Sequence, residues 1–326
     1  MQAIICNSFG PPSNLSLWEV PDPVPAADEI LIRISACSVN FPDTLIIQGL
    51  YQYKPDFPFS PGSDVAGVVE SIGAEVQGIE LGDEVVAITT WGGFAEKIAV
   101  KANSCFKKPP EMSMVEAASF LLAYGTSYYA LTSRGSLSSG ETLLVLGASG
   151  GVGLAAVETG NLLGARVIAA ASSDEKLALC LQYGAEELIN YHQEDLRDRL
   201  RETCGKKGVD VIYDPVGGKI SEPAVRSMAW NGRYLVVGFA SGDIPKIPLN
   251  LVLLKSCQIV GVFWGAFTQK HPRENVKQVS QLIDWFKNGK LHPHIHATYS
   301  LPEAPKALEE IMNRRVLGKV VVVMDD

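Results

Sequence analysis

Hydrophobic and polar positions change their rhythm partway along the chain. Up to about residue 110 the apolar stretches are short and β-branched, as in Glu29-Ile30-Leu31-Ile32-Arg33-Ile34, Val65-Ala66-Gly67-Val68-Val69-Glu70 and Glu84-Val85-Val86-Ala87-Ile88. Turn signals such as Pro61-Gly62 and Leu81-Gly82-Asp83 separate them, which predicts a small β-rich unit. Helical patterning begins near Met114-Val115-Glu116-Ala117-Ala118. From Glu141 onward, strand-like runs alternate with amphipathic helices. The pattern predicts strands at 142–146, 166–171, 187–190, 209–213 and 233–237, with helices at 152–163, 174–183, 195–203 and 222–230 between them. Short, continuously apolar strands are those buried on both faces of a helix-covered parallel sheet, so an α/β, doubly wound fold is expected here. Helices near 275–287 and 303–313 and a last strand at 319–323 complete the chain.

Composition leaves this picture intact and removes several functions. The 326 residues suffice for two cores. A net charge of −8 disfavours nucleic acid and anionic lipid as partners. No apolar run reaches the ~18 residues that would suggest a membrane span, and the N-terminus does not read as a secretory signal. The six cysteines stand singly, without a CxxC pair, so reduced thiols and a cytoplasmic location are expected.

The strongest chemical signal is Leu143-Leu144-Val145-Leu146-Gly147-Ala148-Ser149-Gly150-Gly151-Val152-Gly153, a buried strand running through a glycine-rich turn into a helix. Glycine lets the backbone approach a pyrophosphate closely, and the helix start offers amides and a favourable dipole. A dinucleotide is therefore expected. NAD enzymes place an acid at the tip of the second strand. Here Arg166–Ala171 ends in Ser172-Ser173, and Asp174-Glu175 read as the cap and first turn of the next helix. Ser172 and Lys176 suit a 2′-phosphate, which favours NADPH over NADH; a solvated helix lysine is the alternative for Lys176.

Taken with Asn40-Phe41-Pro42-Asp43, Gly49-Leu50-Tyr51, Pro61-Gly62-Ser63-Asp64-Val65-Ala66-Gly67, Gly82-Asp83, Gly125-Thr126, Ile189-Asn190-Tyr191, Tyr213-Asp214-Pro215-Val216-Gly217-Gly218 and Gly318-Lys319-Val320, the chain resembles the quinone oxidoreductase (zeta-crystallin-like) branch of the medium-chain dehydrogenase/reductase family. The resemblance spans nearly the whole chain. It implies a GroES-like β-barrel catalytic domain (1–123 and 264–326), a Rossmann cofactor domain (124–263) and a cleft between them. It also implies a homodimer joined through the Rossmann sheet edges, with Gln258-Ile259-Val260-Gly261-Val262-Phe263 as the edge; a strand buried within one subunit is the other reading of that stretch. By position, Gly147, Ser149, Gly150, Gly151, Val152 and Gly153 fall to the pyrophosphate, and Ser172, Lys176 and Tyr191 to the 2′-phosphate. Thr126, Gly238 and Phe239 fall to the nicotinamide end, and Asn40 and Tyr51 to the active site. Lys319 is placed as an approach to the cofactor from the returning tail, with a surface lysine as the alternative. Glu158, Gly160-Asn161 and Leu45 depart from the branch's usual residues.

Zinc-dependent members of the superfamily bind metal with Cys, then Gly-His-Glu, then a later Cys. The matching positions here are Asn40 and Gly62-Ser63-Asp64, and no Cys or His lies between Glu116 and Gly135, so no metal is expected. His292, His294 and His296 alternate in a way that reads better as a polar approach to a strand. Without a Lewis acid, alkoxide formation is unsupported, whereas a quinone or α,β-unsaturated carbonyl delocalises the charge left by hydride addition. The chemistry expected is NADPH-dependent reduction of a quinone, or alternatively of an enone or enoyl double bond. Asn40 and Tyr51 are candidates to bond the developing enolate, with a structural role open for both. Trp91, Tyr124 and Trp264 are candidates for an apolar wall, with ordinary core packing as the alternative. A non-catalytic, crystallin-like role is the reading of another class.

Overall fold

Continuous apolar runs become buried strands wherever helices can cover both of their faces. A computed structural model describes residues 1–324, and the chain divides into two units, Met1–Leu122 with Pro293 onward, and Ala123–His292.

The second unit is a Rossmann-type sheet of six parallel strands. Across the sheet they run Glu187–Asn190, Arg166–Ala171, Thr142–Leu146, Val209–Asp214, Met228–Val236 and Gln258–Gly261. Numbered along the chain this is the order 3-2-1-4-5-6, whose reversal beside the first strand opens the crevice at the carboxyl ends of the strands. All five residues of Thr142–Leu146 are buried, which is why the run carries no alternation. Leu144, Leu146, Ile168, Ala170 and Ile212 meet Leu196, Leu200 and Val225 from the covering helices in one core.

The GroES-like first unit is an antiparallel arrangement built on the long strand Glu29–Val39. It pairs with Asp64–Ile72, with Lys97–Lys101 and with the returning strand Lys319–Val323, which itself pairs in parallel with Ile295–Ser300. Ile32, Ile34, Val65, Val85, Val320 and Val322 fill its core together with Leu308.

Two expectations are corrected. The return to the first unit falls at Pro293 and not at residue 264. The helices Trp264–Lys270 and Pro272–Lys287 stay with the second unit through aromatic contacts, Tyr129 on Phe267 at 4.2 Å and Tyr128 on Trp285 at 5.5 Å between ring centroids. The helix expected at 222–230 spans only Ser221–Arg226, and Met228–Val236 is strand, with Met228 paired to Val209. Among the described residues no helix is long and apolar enough to cross a membrane.

Candidate functional site

The glycine loop has the geometry its spacing suggests. Gly147 sits at φ +58°, a conformation costly for other residues, and a Cβ there would lie 2.6 Å from Val216. A Cβ on Gly153 would lie 2.3 Å from the Gly147 carbonyl, so only glycine lets the helix Gly151–Leu162 start this close to the turn. A Cβ on Gly150, by contrast, would meet nothing nearer than 3.5 Å. The amides of Gly151, Val152 and Gly153 belong to the first turn and lack intrahelical partners, an arrangement that attracts anions. Ser149 is buried beside them. The helix start is also anchored: Ser127 Oγ donates to the Val152 carbonyl at 2.8 Å and lies 3.0 Å from the Tyr213 hydroxyl. Thr126 precedes Ser127 on the helix Leu121–Tyr129 and is half-buried.

At the end of the second strand, Lys176 Nζ donates to Ser172 Oγ at 3.0 Å, and both side chains are half-buried. Ser173 caps the following helix by accepting from the Lys176 amide. Tyr191 follows the adjacent edge strand, its amide donating to the Ala171 carbonyl at 3.2 Å. Gly238 and Phe239 leave the strand Met228–Val236 and lie against Pro215–Gly217. The Gly238 amide donates to the Asp214 carbonyl at 3.3 Å, and the Ala240 amide to that of Pro215 at 3.0 Å. Asp214 organises this turn by accepting from the amides of Val216 and Gly217 at 2.7 and 2.8 Å, from Ser221 Oγ at 2.7 Å and from the Tyr234 hydroxyl.

In the first unit the structure gathers a buried charged cluster that the sequence reading had not assembled. Lys319, 5% exposed, donates through Nζ to Asn40 Oδ1. It is therefore not a surface lysine. Asn40 Nδ2 donates to Ser38 Oγ at 3.0 Å and to the Ser38 carbonyl at 3.3 Å, and its backbone amide donates to Asp43 Oδ2 at 2.7 Å. Asp64 accepts from Ser38 Oγ at 3.2 Å. Burial raises the pKa of Asp43 and of Asp64 to about 7, although Lys319 pulls both down. Burial likewise pushes the ammonium of Lys319 down, against the two carboxylates that favour its charge. Tyr51 lies close enough for Asp43 to add to the rise in its phenol pKa, which burial dominates. In the sequence Asp43 and Asp64 stand within motifs but carry no mark of joining Lys319; the usable signal is an acid opening Asp64-Val65-Ala66-Gly67 and a lysine opening Lys319-Val320-Val321-Val322.

The aromatic wall is corrected in two of its three members. Tyr124 (3% exposed) donates to Glu158 Oε2 at 2.7 Å, and Glu158 also accepts from the His292 amide at 3.0 Å. Trp264 (4% exposed) packs over Gly125, where a Cβ would lie 2.4 Å from its ring. Both are held as core side chains of the second unit, and Trp91 alone is exposed, at 39%. Among the described residues no group of three or more His, Cys, Asp and Glu side chains is placed to hold a metal ion.

Comparison with known proteins places these features in company. Residues 26–110 match the family described as alcohol dehydrogenase GroES-like domain, and residues 151–285 that described as zinc-binding dehydrogenase. The chain is 36% identical to quinone oxidoreductase-like protein 2 of Rattus norvegicus over 323 residues, covering 98% of this chain and 91% of that protein. It is 31% identical to the quinone oxidoreductase of Homo sapiens, covering 99% and 98% of the two chains. The crystal structure of Escherichia coli quinone oxidoreductase complexed with NADPH superposes with a TM-score of 0.93 at 28% identity, covering 99% of this chain and 100% of that one.

Proposed function

The chain belongs to the quinone oxidoreductase branch of the medium-chain dehydrogenase/reductase family, and on that premise we propose that it reduces a quinone with NADPH, without a metal. The observation that carries the cofactor choice is the Ser172–Lys176 pair. A hydroxyl and an ammonium 3.0 Å apart stand where a selector of NAD presents an acid, and together they suit a 2′-phosphate. Tyr191 completes that pocket in the proposal. The open side of Gly150 and the amides of Gly151, Val152 and Gly153 receive the pyrophosphate, with Gly147 and Ser149 shaping the turn. Thr126, Gly238 and Phe239 are assigned to the nicotinamide end.

Bound NADPH supplies the hydride. The protein's part is to hold the acceptor, exclude water and bond the oxygen on which charge develops. Tyr51 is the proposed donor, since its raised pKa keeps the phenol protonated and able to donate. Asn40, whose amide is engaged at both ends, acts as a fixed polar surface. The donor set is unfit for zinc: Asn and Ser are poor ligands, and the Lys319 ammonium already occupies Asn40 Oδ1.

We assign the homodimer to the strand Gln258–Gly261, which ends the six-stranded sheet. Ile259 on it and Leu249, Leu253 and Leu254 on the preceding helix are exposed, an apolar edge of the sort that subunits cover.

Titration of the purified protein with NADPH and NADH, then with 1,4-benzoquinone while following nicotinamide absorbance, tests the reading. Tighter binding of NADPH and quinone-dependent oxidation are expected. Oxidation with alkenals but not quinones would move the function to enone reduction, and failure to bind either nucleotide would overturn it.

A further inference from the structure

The segment that follows the second strand contains an acid for which the proposed cofactor reading has no use. Asp174 is exposed, two residues beyond Ser172, in the region from which NAD-selective enzymes direct a carboxylate to the ribose 2′-hydroxyl. Its side chain is already engaged: Asp174 Oδ1 accepts from Asn190 Nδ2 at 2.7 Å. The two meet because the strand ends are level, Asn190 pairing with Ala171 at the close of both strands. Asn190 is buried, and its amide orientation is set from the other side. Asn190 Oδ1 accepts from the His192 amide at 3.2 Å, so the NH₂ group must face Asp174. The backbone is fixed as well, its carbonyl accepting from the Gln193 and Glu194 amides at 3.0 and 2.9 Å.

We propose that Asn190 is a specificity-determining residue, which holds the Asp174 carboxylate aside so that Ser172 and Lys176 meet the adenosine 2′ position and the chain selects a 2′-phosphate. The inference rests on the NADPH preference proposed above. A carboxylate left loose at this place would attract a ribose hydroxyl and repel a phosphate, favouring NADH on both counts. Asn190 touches no cofactor in this scheme; it acts through Asp174.

The test is the ratio of Kd values for NADPH and NADH, read by fluorescence titration of the full chain, with 2′,5′-ADP as a competitor that reports the phosphate pocket alone. Equal binding of the two nucleotides by the wild type would overturn the cofactor reading itself. Given a wild-type preference for NADPH, Asn190→Ala should reduce that preference by about tenfold, the scale of one charge contact. Asp174→Asn added to Asn190→Ala should restore it, because the interfering charge is gone. An unchanged ratio in Asn190→Ala overturns the proposal. So does a lost preference that Asp174→Asn fails to restore, since a merely structural Asn190 would damage binding with or without the acid. If Asn190→Ala does not fold, the exchange Asn190→Asp with Asp174→Asn rebuilds the bond with donor and acceptor reversed. The exchange should select NADPH where Asn190→Asp alone does not, and equal ratios in those two variants overturn the proposal.

Discussion

Lys319 shows how far a single side chain can depart from its type. Lysine is seldom fully buried unless paired, and here the ammonium is held by Asn40 in the field of Asp43 and Asp64. With one ammonium and two carboxyls, the neutral arrangement keeps a proton on the acid pair, and their pKa values near 7 agree with it. The consequence has a definite sign. These carboxyls titrate at 3.8 when unshifted, so between there and about 7 the folded chain retains protons that the unfolded chain has released. Stability from this source is present at the acid end of the window and is lost as pH rises through 7. His294, whose pKa burial lowers, contributes in the opposite direction, so the difference between variants is the quantity to read. Between about pH 5 and pH 8 the wild-type Tm should decline relative to that of Asp64→Asn, which keeps the shape and removes one titration. Parallel Tm curves would show that Asp64 is ionised throughout. The cluster was illegible in the sequence for a physical reason: Asn40 and Lys319 are 279 residues apart, and nothing local marks a lysine as buried.

Among the elements, the strand–loop–helix from Thr142 to Leu162 was the most legible, because its information is local. Five buried residues, four of them apolar, a left-handed glycine and a helix start follow one another without help from elsewhere. Two glycines of the loop do different jobs, and substitution separates them. Gly153→Ala places a Cβ 2.3 Å from a backbone oxygen and should lower Tm as well as nucleotide affinity. Gly150→Ala has φ −77° and open space around it, so Tm should stay near wild type while NADPH binding weakens. Calorimetry and nucleotide titration of both variants check this; an equal fall in Tm would mean that Gly150 also supports packing. Other elements were less legible. Met228-Ala229-Trp230 extends a helical pattern as readily as it begins a strand, and pairing with Val209 decides for the strand. The helix Pro272–Lys287 has a plain apolar face, yet that face does not say which unit it will cover. Trp285 and Phe267, by meeting Tyr128 and Tyr129, settle it. In the sequence Tyr124 and Trp264 fit an acceptor wall and ordinary core packing equally, because aromatic type alone cannot distinguish a lining residue from a core one; their burial decides for the core.

For the whole molecule, the proposed dimer is the property most directly tested. Light scattering should give twice the 35.1 kDa chain mass, and Leu253→Glu with Leu254→Glu, at positions 78% and 70% exposed, should yield monomers that keep their fold. A monomeric wild type would leave the apolar edge without that explanation. The division of the chain bears on how the protein is made. The second unit is one uninterrupted segment, able to fold as soon as residue 292 clears the ribosome. The first unit lacks a central partner strand until Lys319–Val323 arrives. At ~5–20 residues per second, its first 122 residues wait for roughly 10–40 s with that sheet edge unpaired. The amino acid that balances Asp43 and Asp64 is thus added only after the whole second unit, and completion of the acid-bearing unit waits for it.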